Sequence, residues 1–127
     1  MTDPKKIVLL GATGSIGEST LQVIRKHSDR LQLIGVSAHS NSQKLADISN
    51  EFKVPHAYVR ETASEVTDWP SHCSLDRSTN GLTDIAALEE ADVVVVAIVG
   101  ASGLGPTLSA LQAGKDVVLA NKESLVL

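Results

Sequence analysis

Aromatic residues are almost missing from this chain: one Trp, one Tyr and one Phe among 127 residues. Its interior must therefore be built from Val, Leu, Ile and Ala, and apolar residues of all kinds reach 43%. Such a composition suits parallel strands covered by helices on both faces. Cysteine is scarce too. Cys73 stands alone, so no internal disulfide is open to it, and a cytoplasmic location fits. No basic cluster offsets a formal net charge of −4, which argues against nucleic acid or an anionic membrane as partner. The longest apolar run, residues 93–99, falls far short of the ~20 residues that span a bilayer. No charged region followed by an apolar stretch opens the chain, so no secretory signal is read. The length suits a single domain, residues 1–127, with room for a core.

What is present is organised around residues 7–17, I-V-L-L-G-A-T-G-S-I-G. Four apolar residues end on Gly11, and Gly14 and Gly17 follow at three-residue spacing before an amphipathic stretch. The pattern predicts a buried strand turning sharply into a helix. Gly11 frees the backbone from side-chain limits, Gly14 lets the main chain approach a pyrophosphate, and Gly17 lets the helix lie close to the sheet. The first helical N–H groups and the helix dipole then meet the anion. Ser15 and Glu18 read as a capping box. The spacing is G-x-x-G-x-x-G and not G-x-G-x-x-G, and neither alone is specific. A tight strand-to-helix turn without a ligand is the other reading. Position near the N-terminus, between a strand and a helix, favours a dinucleotide site.

Along the chain, Ile16, Leu21, Val23 and Ile24 mark a first helix over 15–27, and residues 31–37 a second strand. In dinucleotide folds an Asp or Glu after this strand binds the ribose 2′-hydroxyl. Here the loop reads Ser37-Ala38-His39-Ser40-Asn41, with no acid, which points to NADP. Lys44 adds charge, but no arginine sits in the loop, and arginine is the usual fork for that phosphate. His39 reads equally as a solvated loop residue. Asn41 or Ser42 caps a helix whose Leu45, Ile48 and Phe52 share one face. Residues 54–59 read as a third strand, with Pro55 at an edge or at its start, and 61–69 as a short helix. The polar stretch 70–81 gives no clear element. His72 beside Cys73 is too little for a metal or nucleophile site, and Trp69 reads as a cover over the core. A helix at 84–90 precedes a central strand at 93–99. The small residues at 100–105 would let a ligand approach the carboxyl end of that strand. Pro106 opens a helix through Leu108 and Leu111 to Gly114, and 116–120 form a last strand, with Asn121, Lys122 and Glu123 at its carboxyl end.

The chain resembles the 1-deoxy-D-xylulose 5-phosphate reductoisomerase family. The residues that carry the likeness are G-A-T-G-S-I-G at 11–17, A-I-V-G-A-S-G-L at 97–104 and L-A-N-K-E-S-L-V at 119–126. The last is highly specific. The resemblance implies a Rossmann-like α/β fold, doubly wound, with a mainly parallel sheet and helices on both faces. It implies an NADPH-dependent oxidoreductase of non-mevalonate isoprenoid biosynthesis. Such an enzyme isomerises and reduces 1-deoxy-D-xylulose 5-phosphate to 2-C-methyl-D-erythritol 4-phosphate. Thr13, Gly14, Ser15 and Ile16 would contact the cofactor at the turn. The adenosine loop, commonly A-G-x-N, reads Ala38-His39-Ser40-Asn41, placing His39, Ser40 and Asn41 at the cofactor. Asn121 and Glu123 would lie against the cofactor and Lys122 would reach the substrate. The chain looks like only the family's N-terminal NADPH-binding domain. The carboxylates for Mg²⁺ or Mn²⁺, the lid and most of the homodimer contacts would belong to a later part. No catalytic residue and no metal ligand is expected in this chain, which should bind NADPH without turnover. A fragment of another NADP-dependent reductase, and a non-catalytic dinucleotide-sensing module acting through a partner, are the alternatives.

Overall fold

The computed structural model describes residues 3–60, 62–98 and 100–120. Among the described residues six strands form one sheet: β1 (Lys5–Leu10), β2 (Leu31–Ala38), β3 (His56–Val59), β4 (Ser74–Asp76), β5 (Val93–Val96) and β6 (Asp116–Leu119). Their spatial order is β4-β3-β2-β1-β5-β6, and every neighbouring pair is parallel. The order reverses between β1 and β5, which is the switch point of a doubly wound sheet. The expected Rossmann-like architecture is therefore the one found. The helices are α1 (Ser15–Lys26), α2 (Ser42–Phe52), α3 (Gly81–Ala86) and α4 (Leu104–Gln112).

The run Ile7-Val8-Leu9-Leu10 is apolar throughout because β1 is covered twice. Ile7 and Leu9 pack with Leu21 and Ile24 of α1 and with Leu45 and Ile48 of α2. Val8 and Leu10 pack on the opposite face with Ile85 and Ala86 of α3 and Ala110 of α4. Full burial of such a side chain contributes ~1.5–3 kcal/mol. Trp69 is half-buried against the α1–α2 side of the core, and its indole N–H donates to the Cys73 carbonyl at 2.9 Å. It is a cover, as expected.

Several elements differ from their sequence-based outlines. The capping box at Ser15 and Glu18 does not form: Gly14 takes the cap position, Glu18 N–H donates to the Gly14 carbonyl at 2.9 Å, and no side chain caps the helix. No helix forms at 62–69. The carbonyls of Arg60, Ala63 and Ser64 turn instead to the guanidinium of Arg77, at 3.4, 2.9 and 3.1 Å. Residues 74–76, unassigned from sequence, form the edge strand β4 along β3, with Leu75 its one apolar side chain. Pro55 lies just before β3, which is internal, so it marks the start and not an edge.

The helix expected at 84–90 is α3, which begins and ends earlier. Gly81 opens it where an added Cβ would stand 2.5 Å from the Tyr58 ring. The chain then turns back, with Ala91 N–H donating to Leu88 at 3.0 Å, to enter β5. β5 itself stops at Val96 because its neighbour β1 has already turned away at Gly11. Leu108 and Leu111 on α4 and Val118 on β6 are exposed, so the apolar residues of that helix do not all face the core.

Candidate functional site

A cleft of about 750 Å³ opens beyond the carboxyl ends of the strands, within the usual size range of small-molecule sites. Gly11, Thr13, Gly14, Ser37, Ala38, His39, Tyr58, Arg60, Leu82, Ala97, Ile98 and Ser102 line it. It therefore crosses the switch point between β1 and β5.

The three glycines of the turn are held by different constraints. Gly11 has φ +86°, and a Cβ there would lie 2.7 Å from the Ala97 carbonyl oxygen, so both torsion and space require glycine. At Gly17 a Cβ would lie 2.3 Å from the Gly11 carbonyl oxygen, which fixes how closely α1 packs on the turn. At Gly14 it would meet nothing within 4 Å. Packing does not demand that glycine, and the space beside it belongs to the cleft. The first N–H groups of α1 have no carbonyl one turn earlier to bond, which leaves them for an anion. Ser37 fastens the turn from β2: its Oγ accepts from Gly11 N–H at 2.9 Å and its carbonyl from Ala12 N–H at 2.8 Å. Lys44, read as charge for the adenosine loop, points to this end as well. Its Nζ donates to the Thr13 carbonyl at 3.2 Å and lies 3.9 Å from the Glu18 carboxylate.

At the β2 end the loop residues are already engaged. Asn41 accepts the Lys44 N–H at 3.1 Å through its side-chain oxygen and so caps α2. Ser37 is buried and bonded to the turn, so its hydroxyl does not join the loop's polar surface. Ser40 is exposed. His39 is exposed at the rim, with Nε2 2.6 Å from Nη1 of Arg60. Arginine has no acceptor, so the guanidinium donates and the imidazole nitrogen accepts. An arginine therefore stands at this rim although the loop itself has none: Val59 ends β3 opposite Ala38, and Arg60 follows beside His39. The sequence alone singled out neither Arg60 at this rim nor Ser37 as the anchor of the turn. A rule that could have found Arg60 is to inspect the residue after every strand neighbouring β2, not the β2 loop alone.

Among the described residues Thr13, Gly14 and His39 line one cleft, Ser15 and Ile16 stand exposed on the first turn of α1, and Ser40 and Asn41 follow His39. Asn121, Lys122 and Glu123 lie outside the described residues. His72 and Cys73 form no site: the imidazole donates to the Ser49 carbonyl at 3.0 Å, and burial pushes the Cys73 thiol up, away from thiolate chemistry. Among the described residues no group of three or more His, Cys, Asp or Glu is placed to hold a metal ion. Among them, too, no helix is long and apolar enough to cross a membrane.

Residues 7–127 match the model of the family described as 1-deoxy-D-xylulose 5-phosphate reductoisomerase. A relative of that name from Clostridium kluyveri is 43% identical over 129 residues, covering 96% of this chain and 33% of the relative. A solved reductoisomerase in complex with NADPH, fosmidomycin and magnesium superposes with a TM-score of 0.88 at 41% identity, over 96% of this chain and 31% of the other. A second, from Zymomonas mobilis in complex with NADPH, gives 0.86 at 38% identity, over 97% of this chain and 33% of the other. The chain thus spans about a third of the length of the curated relatives it matches.

Proposed function

The chain belongs to the 1-deoxy-D-xylulose 5-phosphate reductoisomerase family, and from that premise we propose that it is the NADPH-binding part of such an enzyme. The observation that carries this reading is the open space at Gly14, bordered by the first turn of α1 and continuous with a cleft running from Ser102 to Arg60. In this reading the pyrophosphate rests on the N–H groups around Gly14, Ser15 and Ile16, with Thr13 beside them, and the turn keeps its shape through Ser37 and Lys44. The adenosine lies toward His39, Ser40 and Asn41. Bound NADPH supplies the hydride, while these residues hold and orient it. Asn121 and Glu123 would border the cofactor and Lys122 the phosphorylated sugar.

In this reading Mg²⁺ or Mn²⁺ is held by the longer enzyme, as the family resemblance implies. Turnover of 1-deoxy-D-xylulose 5-phosphate to 2-C-methyl-D-erythritol 4-phosphate is assigned to it as well. This chain, residues 1–127, acts as one NADPH-binding domain without catalytic residues of its own, and the whole enzyme as a cytoplasmic homodimer with no nucleic-acid or membrane partner. The test is calorimetric titration of this chain with NADPH and NADH at one salt concentration. Saturable binding with preference for NADPH is expected, and binding of neither would overturn the reading. Clear turnover by this chain with substrate, NADPH and Mn²⁺ would overturn the assignment of chemistry to the remainder.

A further inference from the structure

The loop after β2 contains no arginine, yet the cleft has one at the same rim. We propose that Arg60, held in place by His39, is the residue that selects a dinucleotide carrying a 2′-phosphate over one carrying a 2′-hydroxyl. The inference rests on the cofactor reading above and adds to it a specificity residue contributed by β3.

Three observations support it. First, placement: β2 and β3 run parallel with Ala38 opposite Val59, so the residues that follow, His39 and Arg60, emerge side by side. That is the strand end where the adenosine ribose falls in doubly wound sheets. Second, orientation: the guanidinium donates to His39 Nε2 at 2.6 Å, and Arg77 bonds the carbonyl of Arg60 at 3.4 Å and those of Ala63 and Ser64 at 2.9 and 3.1 Å. Both the side chain and its backbone are therefore tied down before any ligand arrives. Third, charge: among the described residues no carboxylate pairs with Arg60. Its one side-chain hydrogen-bond partner there is the imidazole, which takes up one of five N–H donors. The rest of the planar fork is left for a phosphate, whose geometry it matches. His39 is then a positioning residue, and the loop's own Ser40 adds at most a neutral hydroxyl.

The experiment is titration of the wild-type chain, Arg60→Ala, Arg60→Lys and His39→Ala with NADPH and NADH. Circular dichroism checks that each variant is folded. Arg60 is exposed, so its removal should leave the fold intact. Arg60→Ala should lose ~10- to 100-fold in NADPH affinity, the worth of about one charge-assisted hydrogen bond, with NADH affinity unchanged. Arg60→Lys should restore part of the preference, because it keeps the charge without the fork. His39→Ala should lower the NADPH preference by less than Arg60→Ala does. Three outcomes would overturn the proposal. If the wild-type chain binds neither dinucleotide, the underlying cofactor reading falls and this inference with it. If it binds both alike, or if Arg60→Ala keeps the wild-type preference for NADPH, the inference falls while the cofactor reading stands.

Discussion

At the glycine end of the cleft, what is offered to a ligand is backbone: N–H groups of one turn, contiguous in sequence and shaped by what glycine permits at Gly11 and Gly17. At the other end it is side chains, His39 after β2, Tyr58 and Arg60 on and after β3, and Leu82 on α3, drawn from elements far apart in the chain. The first is fastened by Ser37 and admits only glycine at positions 11 and 17. The second is ordered by hydrogen bonds between side chains and carbonyls. Two dinucleotides that share a pyrophosphate differ only at the second end. The backbone end should therefore set whether any dinucleotide binds, and the side-chain end which one.

Substitutions can separate these roles. The largest effect is expected from Gly17→Val, which drives a branched side chain into the Gly11 carbonyl and should cost about 3 kcal/mol or more of stability in denaturant unfolding. Retention of wild-type stability would mean that α1 can lift off the turn without penalty. Ser37→Ala leaves Gly11 N–H without its acceptor and should cost ~1–3 kcal/mol. It should weaken NADPH and NADH binding in the same proportion, in contrast to Arg60→Ala. Gly14→Ala is informative because its Cβ meets no protein atom. Stability should change by less than about 1 kcal/mol, whereas calorimetry should show both dinucleotides weakened at least ~10-fold, since the methyl occupies the phosphate's approach.

The smallest effect belongs to a pair remote from both ends. Arg25 of α1 and Glu51 of α2 form an exposed bidentate bridge, which holds the Glu51 carboxyl below the usual carboxylate range. A group whose pKa is lowered by folding stabilises above its unfolded pKa and loses that contribution as pH falls through its folded pKa. Arg25→Ala should therefore lower the unfolding midpoint slightly near neutral pH, and the gap should shrink on acidification, with the NADPH-to-NADH ratio unaffected throughout.

The same contrast explains how much could be read from the sequence. The turn was legible because its determinants are local: an apolar run, three glycines and an amphipathic stretch occupy consecutive positions. Parallel strands covered on both faces were legible from runs such as Val93 to Val96, whereas the doubly wound order came only from the family resemblance. Arg60 was not, because its meaning comes from β3 lying beside β2, a fact of strand order and not of spacing. β4 escaped because three residues with one apolar side chain carry no period to detect. The expected helix at 61–69 failed for a related reason. Two of its carbonyls, those of Ala63 and Ser64, are bonded by Arg77, a residue beyond the segment, and no window within it could register that. The capping box was a local pattern overruled by packing: once Gly17 must sit against Gly11, the helix begins at Ser15 and Gly14 becomes its cap.

Trp69 gives this asymmetry an optical consequence. It is the chain's one tryptophan, and its indole is bonded to the Cys73 carbonyl within the irregular crossover that runs from Arg60 to β4. Intrinsic fluorescence excited at the indole band therefore reports on the segment behind Arg60, while far-ultraviolet dichroism reports on the helices, α1 among them. The chain thus carries a built-in fluorophore on the support of the Arg60 end of its cleft and none on the glycine turn.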